Sequence, residues 1–347
     1  MWIDFSNKEK FYFYDIEKNN SNWKKDIFSF LNNWYKNNPI LMISTSGTTG
    51  TPKKIFLEKK YMIERAIKTV HFLKLEKKKI KGLLCLSAGF IAAKMFLVRA
   101  IIFKWKIYCI PPSSNPLKNI NKYFDISSMV PMQVFFSLKY LKYIKILLIG
   151  GSSIPNFLEK KLKKISTICY ATYGMTETLG HIAIKKINGV REHSFYQSFD
   201  DINISIDKRN CLGIFSTCCM DKFIQTNDIV RIISNNTFVW IGRYDNIINS
   251  GGIKIIPELV EKKISHFIPF DKRFFISSIP DKILGEKIIL IIEGNPFSLK
   301  IPEFVFNGKK KFYKPKNIFF ISHFIENPLG KIKRKETTKS LIKTFSW

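Results

Sequence analysis

Residues 39–53 read Pro39-Ile40-Leu41-Met42-Ile43-Ser44-Thr45-Ser46-Gly47-Thr48-Thr49-Gly50-Thr51-Pro52-Lys53, an apolar run that passes directly into hydroxyls and glycines and closes on a lysine. The apolar half, 39–45, has the length and composition of a strand. In the second half, glycines let backbone amides converge on an anion, hydroxyls add donors, and Lys53 supplies a point charge, so the segment is suited to hold phosphates. It is not a Walker loop, because the G-x-x-x-x-G-K-[ST] spacing fails. Composition alone suits a Ser/Thr/Gly-rich surface turn equally well.

Working outward, short β-rich runs alternate with helical ones. A helix is expected over about 59–73, strand GLLCLS at 82–87, a helix over about 91–103, and strand KIYCIPP at 106–112. A helix near 132–141, strand KILLIG at 145–150, a helix near 155–164 and strand ISTICYAT from 166 follow. Alternation of this kind predicts an α/β sheet with parallel strands and functional loops at their carboxyl ends. Beyond about residue 199 the segments become short and strand-like, as in a small β subdomain. Residues 257–265 read as one helix of a terminal α+β module with strands near 273–279 and 286–293. Residues 1–38 carry no motif that assigns them a function.

At 347 residues the chain exceeds one comfortable core, so two domains are expected, and 46% hydrophobic residues will fill them. The net charge is +30, from 57 Lys+Arg against 27 Asp+Glu. Such a balance suggests nucleic acid or an anionic membrane surface. Only eight of the cations are Arg, however, and the lysines accompany heavy use of Ile, Asn and Phe, as in AT-rich coding sequence. Phosphate-reading surfaces tend to use Arg, whose planar fork fits phosphate oxygens. No specific nucleic-acid role is expected.

Cys85, Cys109, Cys169, Cys211, Cys218 and Cys219 lie mostly in apolar runs without C-x-x-C pairs and read as reduced core thiols. The start lacks a basic region followed by an apolar one, and the most apolar stretch, 82–102, is broken by Lys94 and Arg99. A cytoplasmic protein with no membrane insertion is the expectation.

The segment at 44–53 resembles the phosphate loop of the adenylate-forming superfamily, which includes acyl- and aryl-CoA synthetases, luciferases and peptide-synthetase adenylation domains. Further motifs of that family follow in its order. Tyr173-Gly174-Met175-Thr176-Glu177-Thr178 is similar to Y-G-x-T-E, and Gly150-Gly151-Ser152 to the loop on the adenine side. Thr226-Asn227-Asp228 stands where the family has T-G-D, and Gly242-Arg243-Tyr244-Asp245 matches G-R-x-D. Ser250-Gly251-Gly252 leads into Pro257 and Glu261, with Leu259 in place of a glutamate common there; Gly330-Lys331-Ile332-Lys333-Arg334 resembles G-K-I-x-R.

The resemblance implies roles residue by residue. Ser46, Gly47, Thr48, Thr49, Gly50 and Lys53 would hold phosphates. Gly150, Gly151 and Tyr173 would hold adenine, the ring by stacking. Thr176 would meet the α-phosphate, and Glu177 would hold Mg2+ beside the phosphates, since that ion takes only one or two carboxylates from protein. Asp228 would accept the ribose hydroxyls and Arg243 would donate on the ribose or phosphate side. Lys331 would bridge the substrate carboxylate and the α-phosphate. Asp245 falls at the hinge, and Gly252 lines the path of the pantetheine arm. The implied fold is a large, shortened N-terminal α/β domain with a small β subdomain, residues 1–244, and a small mobile α+β C-terminal domain, residues 245–347. Most members place a whole subdomain ahead of the phosphate loop, so a shortened form is expected. ATP, Mg2+ and coenzyme A are the expected cofactor set.

Residues 86–99 sit where acyl-CoA synthetases carry P-x-x-H-x-x-G, with Phe90 at the histidine position. Lys94 and Arg99, five apart on a helix, are separated by roughly 140 degrees and need not share a face. Arg99, in an otherwise apolar helix, together with 111–116 and 127–133, makes this region similar to the short o-succinylbenzoate-CoA ligases of menaquinone biosynthesis. That acid has two carboxylates. One is adenylated, and the other requires a cation such as Arg99, with His181 a further candidate to face the acid. The alternatives are another aryl- or acyl-CoA ligase or an enzyme loading a carrier protein, and, from a different class, a basic nucleic-acid-binding protein on a degenerate scaffold. The presence of Thr176, Glu177, Asp228, Arg243 and Lys331 together argues against the last. The expected partners are the acid, ATP and CoA, with monomer and homodimer both open.

Overall fold

A computed structural model describes residues 1–6, 21–44, 54–76, 79–190, 192–217, 223–327 and 330–344. The chain groups into two compact units. The first comprises Met1–Asn203, Ile214–Ile224 and Asn235–Thr237, the second Ile204–Gly213, Gln225–Ser234 and Phe238–Trp347.

The first unit runs β1 (Trp2–Asp4), α1 (Asn22–Tyr35), β2 (Ile40–Ser44), β3 (Lys54–Glu58), α2 (Lys59–Phe72), β4 (Lys81–Leu84), α3 (Ile91–Ile102) and β5 (Lys106–Cys109). It continues with β6 (Phe124–Met129), α4 (Pro131–Ser137), β7 (Ile144–Ile149), α5 (Asn156–Leu162), β8 (Ile168–Met175), β9 (Gly180–Lys186) and β10 (Tyr196–Ser198). Its sheet has the order β1-β5-β4-β6-β7-β8-β9-β10. Strands β5, β4, β6, β7 and β8 are parallel neighbours, whereas β1 on β5, β9 on β8 and β10 on β9 are antiparallel.

The parallel strands are buried on both faces, as an α/β crossover fold demands. Along β7, Ile146 and Leu148 join one core, while Ile144, Leu147 and Ile149 join the other. Helices α1, α2 and α3 supply the first core, and α4 and α5 the second. In α1, Ile27, Phe30, Leu31 and Trp34 are buried at the i, i+3, i+4, i+7 spacing that points one helical face inward.

Two expectations need correction. The run at 39–45 does form a strand, but β2 pairs antiparallel with β3 in a separate two-stranded ribbon and is no member of the parallel sheet. The helix near 132–141 is α4 followed by a 3-10 segment, Leu138–Tyr143. Strand β6, unassigned in the sequence reading, pairs with both β4 and β7 in the interior of the sheet.

Strands β14 (Thr237–Arg243), β13 (Ile224–Ser234), β12 (Cys211–Phe215) and β11 (Asn203–Ile206) lie side by side, with the greater part of each in the second unit. A second sheet orders β16 (Ile253–Ile255), β15 (Ile248–Ser250), β18 (Gly285–Glu293) and β17 (Phe274–Asp281), with β19 (Asn317–Ile321) parallel to β18. Helices α6 (Pro257–Ile264) and α7 (Arg334–Thr344) pack against it. Alternation along β18 feeds two cores: Ile288, Leu290 and Ile292 face the α6 side, while Ile289 and Ile291 face Leu341 of α7.

Cys85, Cys109, Cys169 and Cys211 are free and buried, and burial pushes the first three thiols up to about 12. Cys218 and Cys219 lie outside the described residues. No helix among the described residues is long and apolar enough to cross a membrane.

Candidate active site

Ser46, Gly47, Thr48, Thr49, Gly50 and Lys53 lie outside the described residues. The ribbon of β2 and β3 brackets them.

In the first unit, Gly150, Gly151, Tyr173, Thr176 and Glu177 lie at or beyond the carboxyl ends of the parallel strands β7 and β8, where loops of an open α/β sheet gather. Gly150 and Gly151 follow β7. Tyr173 sits on β8, its ring centroid 5.9 Å from that of Tyr196. A register shift between Tyr173 and Gly174 brings Gly174 against β9, where an added Cβ would stand 2.0 Å from the Gly180 carbonyl oxygen. Only glycine fits there, and the shift lets β8 lead into the turn holding Thr176 and Glu177. Thr178, to which the sequence reading gave no role, fastens that turn. Its hydroxyl accepts from the Met175 amide at 2.9 Å and donates to the Gly180 carbonyl at 2.7 Å. Glu177 is exposed on the turn, and no described residue pairs with its carboxylate. A hard cation held jointly with phosphate oxygens requires such a carboxylate, so the residue fits the Mg2+ expected of it.

Phe90 precedes α3, and the helix carries Lys94 and Arg99. The Lys94 ammonium donates to the Ala88 and Gly89 carbonyls, so its charge is used in holding that loop; burial lowers its pKa to about 8. Arg99 is only 2% exposed. Burial pulls its pKa down to about 10, its Nε has no hydrogen-bond partner, and no carboxylate among the described residues forms an ion pair with it.

His181, on β9, lies near Arg99. Its Nε2 is 3.0 Å from the Thr69 hydroxyl, and that hydroxyl is 3.1 Å from the Arg65 carbonyl. The single hydroxyl proton goes to the carbonyl, so Thr69 accepts from His181, which therefore carries its proton on Nε2. Burial first, then Arg99 and Arg65, holds its pKa well below 6.5, and the ring is neutral.

In the second unit, Asp228, Arg243 and Lys331 form one electrostatic group. Asp228 is 6% exposed. Its Oδ1 accepts from Trp240 Nε1 at 3.0 Å and from Arg243 Nη1 at 3.4 Å. Trp240 was not legible as a site residue, since nothing in FVW marks an indole as a carboxylate's donor. Burial lowers the Arg243 pKa, but Asp228 and Asp245 outweigh it and raise the value overall. The Lys331 pKa is lowered, first by desolvation and then by Arg243, with Asp228 opposing.

Glu326 and Ile332 form an antiparallel bridge, and Asn327 holds Lys331. The Lys331 amide donates to Asn327 Oδ1 at 3.0 Å, and the Asn327 amide donates to the Lys331 carbonyl at 3.0 Å. Residues 328–329 lie outside the described residues. Gly252 has φ +79 in the β15–β16 hairpin, a left-handed conformation that side chains other than glycine rarely adopt.

The family of AMP-binding enzymes matches residues 5–200, more than half of the 347-residue chain. The chain belongs to this family. It is 27% identical over 209 residues to a 2-succinylbenzoate–CoA ligase of Lactococcus lactis, which covers 56% of this chain and 46% of that protein. It is 25% identical to a 2-succinylbenzoate–CoA ligase of Haemophilus influenzae, covering 96% of this chain and 77% of that one. The chain thus spans about half the length of the first relative and most of the second.

Among solved structures, an acyl-CoA synthetase (AMP-forming)/AMP-acid ligase II-like protein of Dyadobacter fermentans is 30% identical, with TM-score 0.62, covering 94% of this chain and 96% of that one. The o-succinylbenzoate coenzyme A synthetase of Bacillus subtilis, solved with ATP and magnesium ion, has TM-score 0.70 at 18% identity, covering 86% of this chain and 69% of that one. The fold is that of adenylate-forming enzymes, with a large mixed α/β sheet.

Proposed function

We propose that this protein is an ATP-dependent carboxylate–CoA ligase whose acid is o-succinylbenzoate. Arg99 carries the choice of acid. A guanidinium removed from water, with no carboxylate among the described residues paired with it, is costly unless a ligand brings the missing charge. A diacid does so: one carboxylate reacts and the other meets Arg99. The two relatives quoted above are named for that acid, which supports the reading.

In the first half-reaction a substrate carboxylate oxygen attacks the α-phosphorus of ATP, the bond to the bridging oxygen breaks, and pyrophosphate leaves. Lys331 neutralises the charge that develops between the carboxylate and the α-phosphate. Tyr173 stacks on adenine, Thr176 donates to the α-phosphate, and Asp228 accepts the ribose hydroxyls, held in place by Trp240 and Arg243. Glu177 would hold Mg2+ together with the phosphates, and the ion would supply charge neutralisation there; Ser46 to Lys53 would hold the phosphates. In the second half-reaction the CoA sulfur attacks the acyl carbon, AMP leaves with the bonding pair, and the thiol proton passes to solvent.

Residues 245–347 turn about Asp245 relative to 1–244 before that second step, so that Gly252 borders the pantetheine arm. The test is a panel of acids assayed for pyrophosphate release, with thioester formation followed by mass. Release and CoA thioester with o-succinylbenzoate are expected; release with none of the acids would refute the proposal.

A further inference from the structure

The three residues of the short 3-10 turn Tyr244–Asn246 are each gripped through their side chains. The Arg209 guanidinium lies 5.0 Å from the centre of the Tyr244 ring. Asp245 Oδ2 accepts from Arg243 Nη2 at 2.7 Å, and its Oδ1 accepts from Asn227 Nδ2 at 2.9 Å. Asn246 donates to Glu258 Oε1 at 2.6 Å.

Asn227 is itself fixed from the far side, because its Oδ1 accepts from Arg209 Nη1 at 3.1 Å. Arg209 in turn donates through Nε to Asp207 Oδ2 at 2.7 Å, and Asp207 Oδ1 takes the amides of Arg209 and Cys211 at 2.8 and 2.9 Å. A continuous chain therefore runs from the 207–211 turn through Arg209 and Asn227 to the Asp245 carboxylate.

An amide suits its middle position for a simple reason. It has a donor for the carboxylate and an acceptor for the guanidinium, held at opposite corners of one rigid plane. Glycine, which stands here in the pattern that this segment otherwise matches, offers neither. Aspartate would set a second carboxylate against Asp245.

We propose that Asn227 is a positioning residue that latches the hinge at Asp245 in the arrangement serving acyl-AMP formation, and that the latch must open before thioester formation. The inference rests on the ligase reading and on Asp245 as its pivot. In the latched arrangement the Lys331 ammonium feels Arg243 and Asp228, the grouping the first half-reaction uses. A hydrogen bond to an ionised group favours the state that contains it by about tenfold, so the latch delays the turn without preventing it.

The two half-reactions can be timed separately in the full chain. Acid-dependent ATP–pyrophosphate exchange reports the first, and thioester formation from pre-made o-succinylbenzoyl-adenylate and CoA reports the second. Asn227→Gly and Asn227→Asp should each raise the rate of the second relative to the first by about tenfold. A residue that only shaped the turn would slow both steps together or neither. Should Asn227→Gly fail to fold, Asn227→Asp carries the test, since it keeps the side-chain volume and the Arg209 contact. An unchanged ratio of the two rates would overturn the latch while leaving the ligase reading standing. No acid-dependent exchange in the unaltered protein would overturn both.

Discussion

The first unit buries two arginines on neighbouring helices, Arg65 of α2 at 1% exposure and Arg99 of α3 at 2%. Arg65 has its counter-charge in the chain. Its Nη1 and Nη2 donate to the two oxygens of Asp201 at 3.3 and 2.9 Å, and the Ser216 hydroxyl donates to the same carboxylate at 2.8 Å. Burial raises the Asp201 pKa, but Arg65 and Ser216 outweigh it and hold the value below its ordinary level. Both arginines leave Nε without a partner, so that feature does not separate them. The carboxylate does. A buried cation whose partner is built in belongs to the architecture; Arg99, with no carboxylate partner among the described residues, is what the proposed diacid would neutralise.

The largest effect that could break this contrast is on stability. Arg65→Met strands Asp201 beside Ser216 with no cation, and should cost about 3–5 kcal/mol in chemical denaturation. Arg99→Met strands no carboxylate among the described residues. The same measurement should find stability unchanged or raised by up to about 4 kcal/mol, because a desolvated charge is replaced by an apolar chain of similar volume. Loss of stability at Arg99 equal to that at Arg65 would show that both are structural.

His181 sharpens the comparison through pH, because Arg99 and Arg65 both act on it. The folded protein keeps its ring neutral, while the unfolded chain binds a proton there as pH falls below 6.5. Below that value the unfolded state carries the extra proton, so this residue's contribution to stability is full above pH 6.5 and declines as pH falls, by about 1.4 kcal/mol per unit. His181→Gln should show a shallower loss of stability on acidification than the unaltered protein; parallel curves would mean that the ring titrates normally. The smallest effect belongs to Lys94. Since its ammonium holds the Ala88 and Gly89 carbonyls, Lys94→Met should cost about 1 kcal/mol and leave the preference among acids as it was, which competition between acids would reveal.

Residues that recur in a fixed order were legible in the sequence, and so were the strands buried by uniform apolar runs. KILLIG and the segment around 285–293 read directly, since both faces of the strand are covered. FDISSM did not, because Asp125, Ser127 and Ser128 interrupt it. Yet Ser127 is fully buried, donating to the Leu83 carbonyl at 2.9 Å, and Asp125 accepts the Lys81 amide at 2.8 Å. These polar groups are satisfied by neighbouring strands, a fact no local pattern carries. The run at 39–45 shows the converse: its composition gives a strand, but that it pairs with β3 and not with the parallel sheet is carried by no local pattern. Arg99 was legible as an oddity, a scarce residue in an apolar helix. That Arg65 would be neutralised, and that Arg99 would have no such partner among the described residues, could be learned only once Asp201 was placed in space.

The direct test of the central claim is the ratio of kcat/KM for o-succinylbenzoate to that for an analogue lacking the ring carboxylate, measured in the unaltered protein and in Arg99→Met. If Arg99 awaits that carboxylate, the substitution lowers the ratio by about 30-fold to several thousandfold, since one member of a buried charge pair is lost, and leaves the KM for ATP in place. A ratio that survives the substitution would mean that Arg99 does not read the acid.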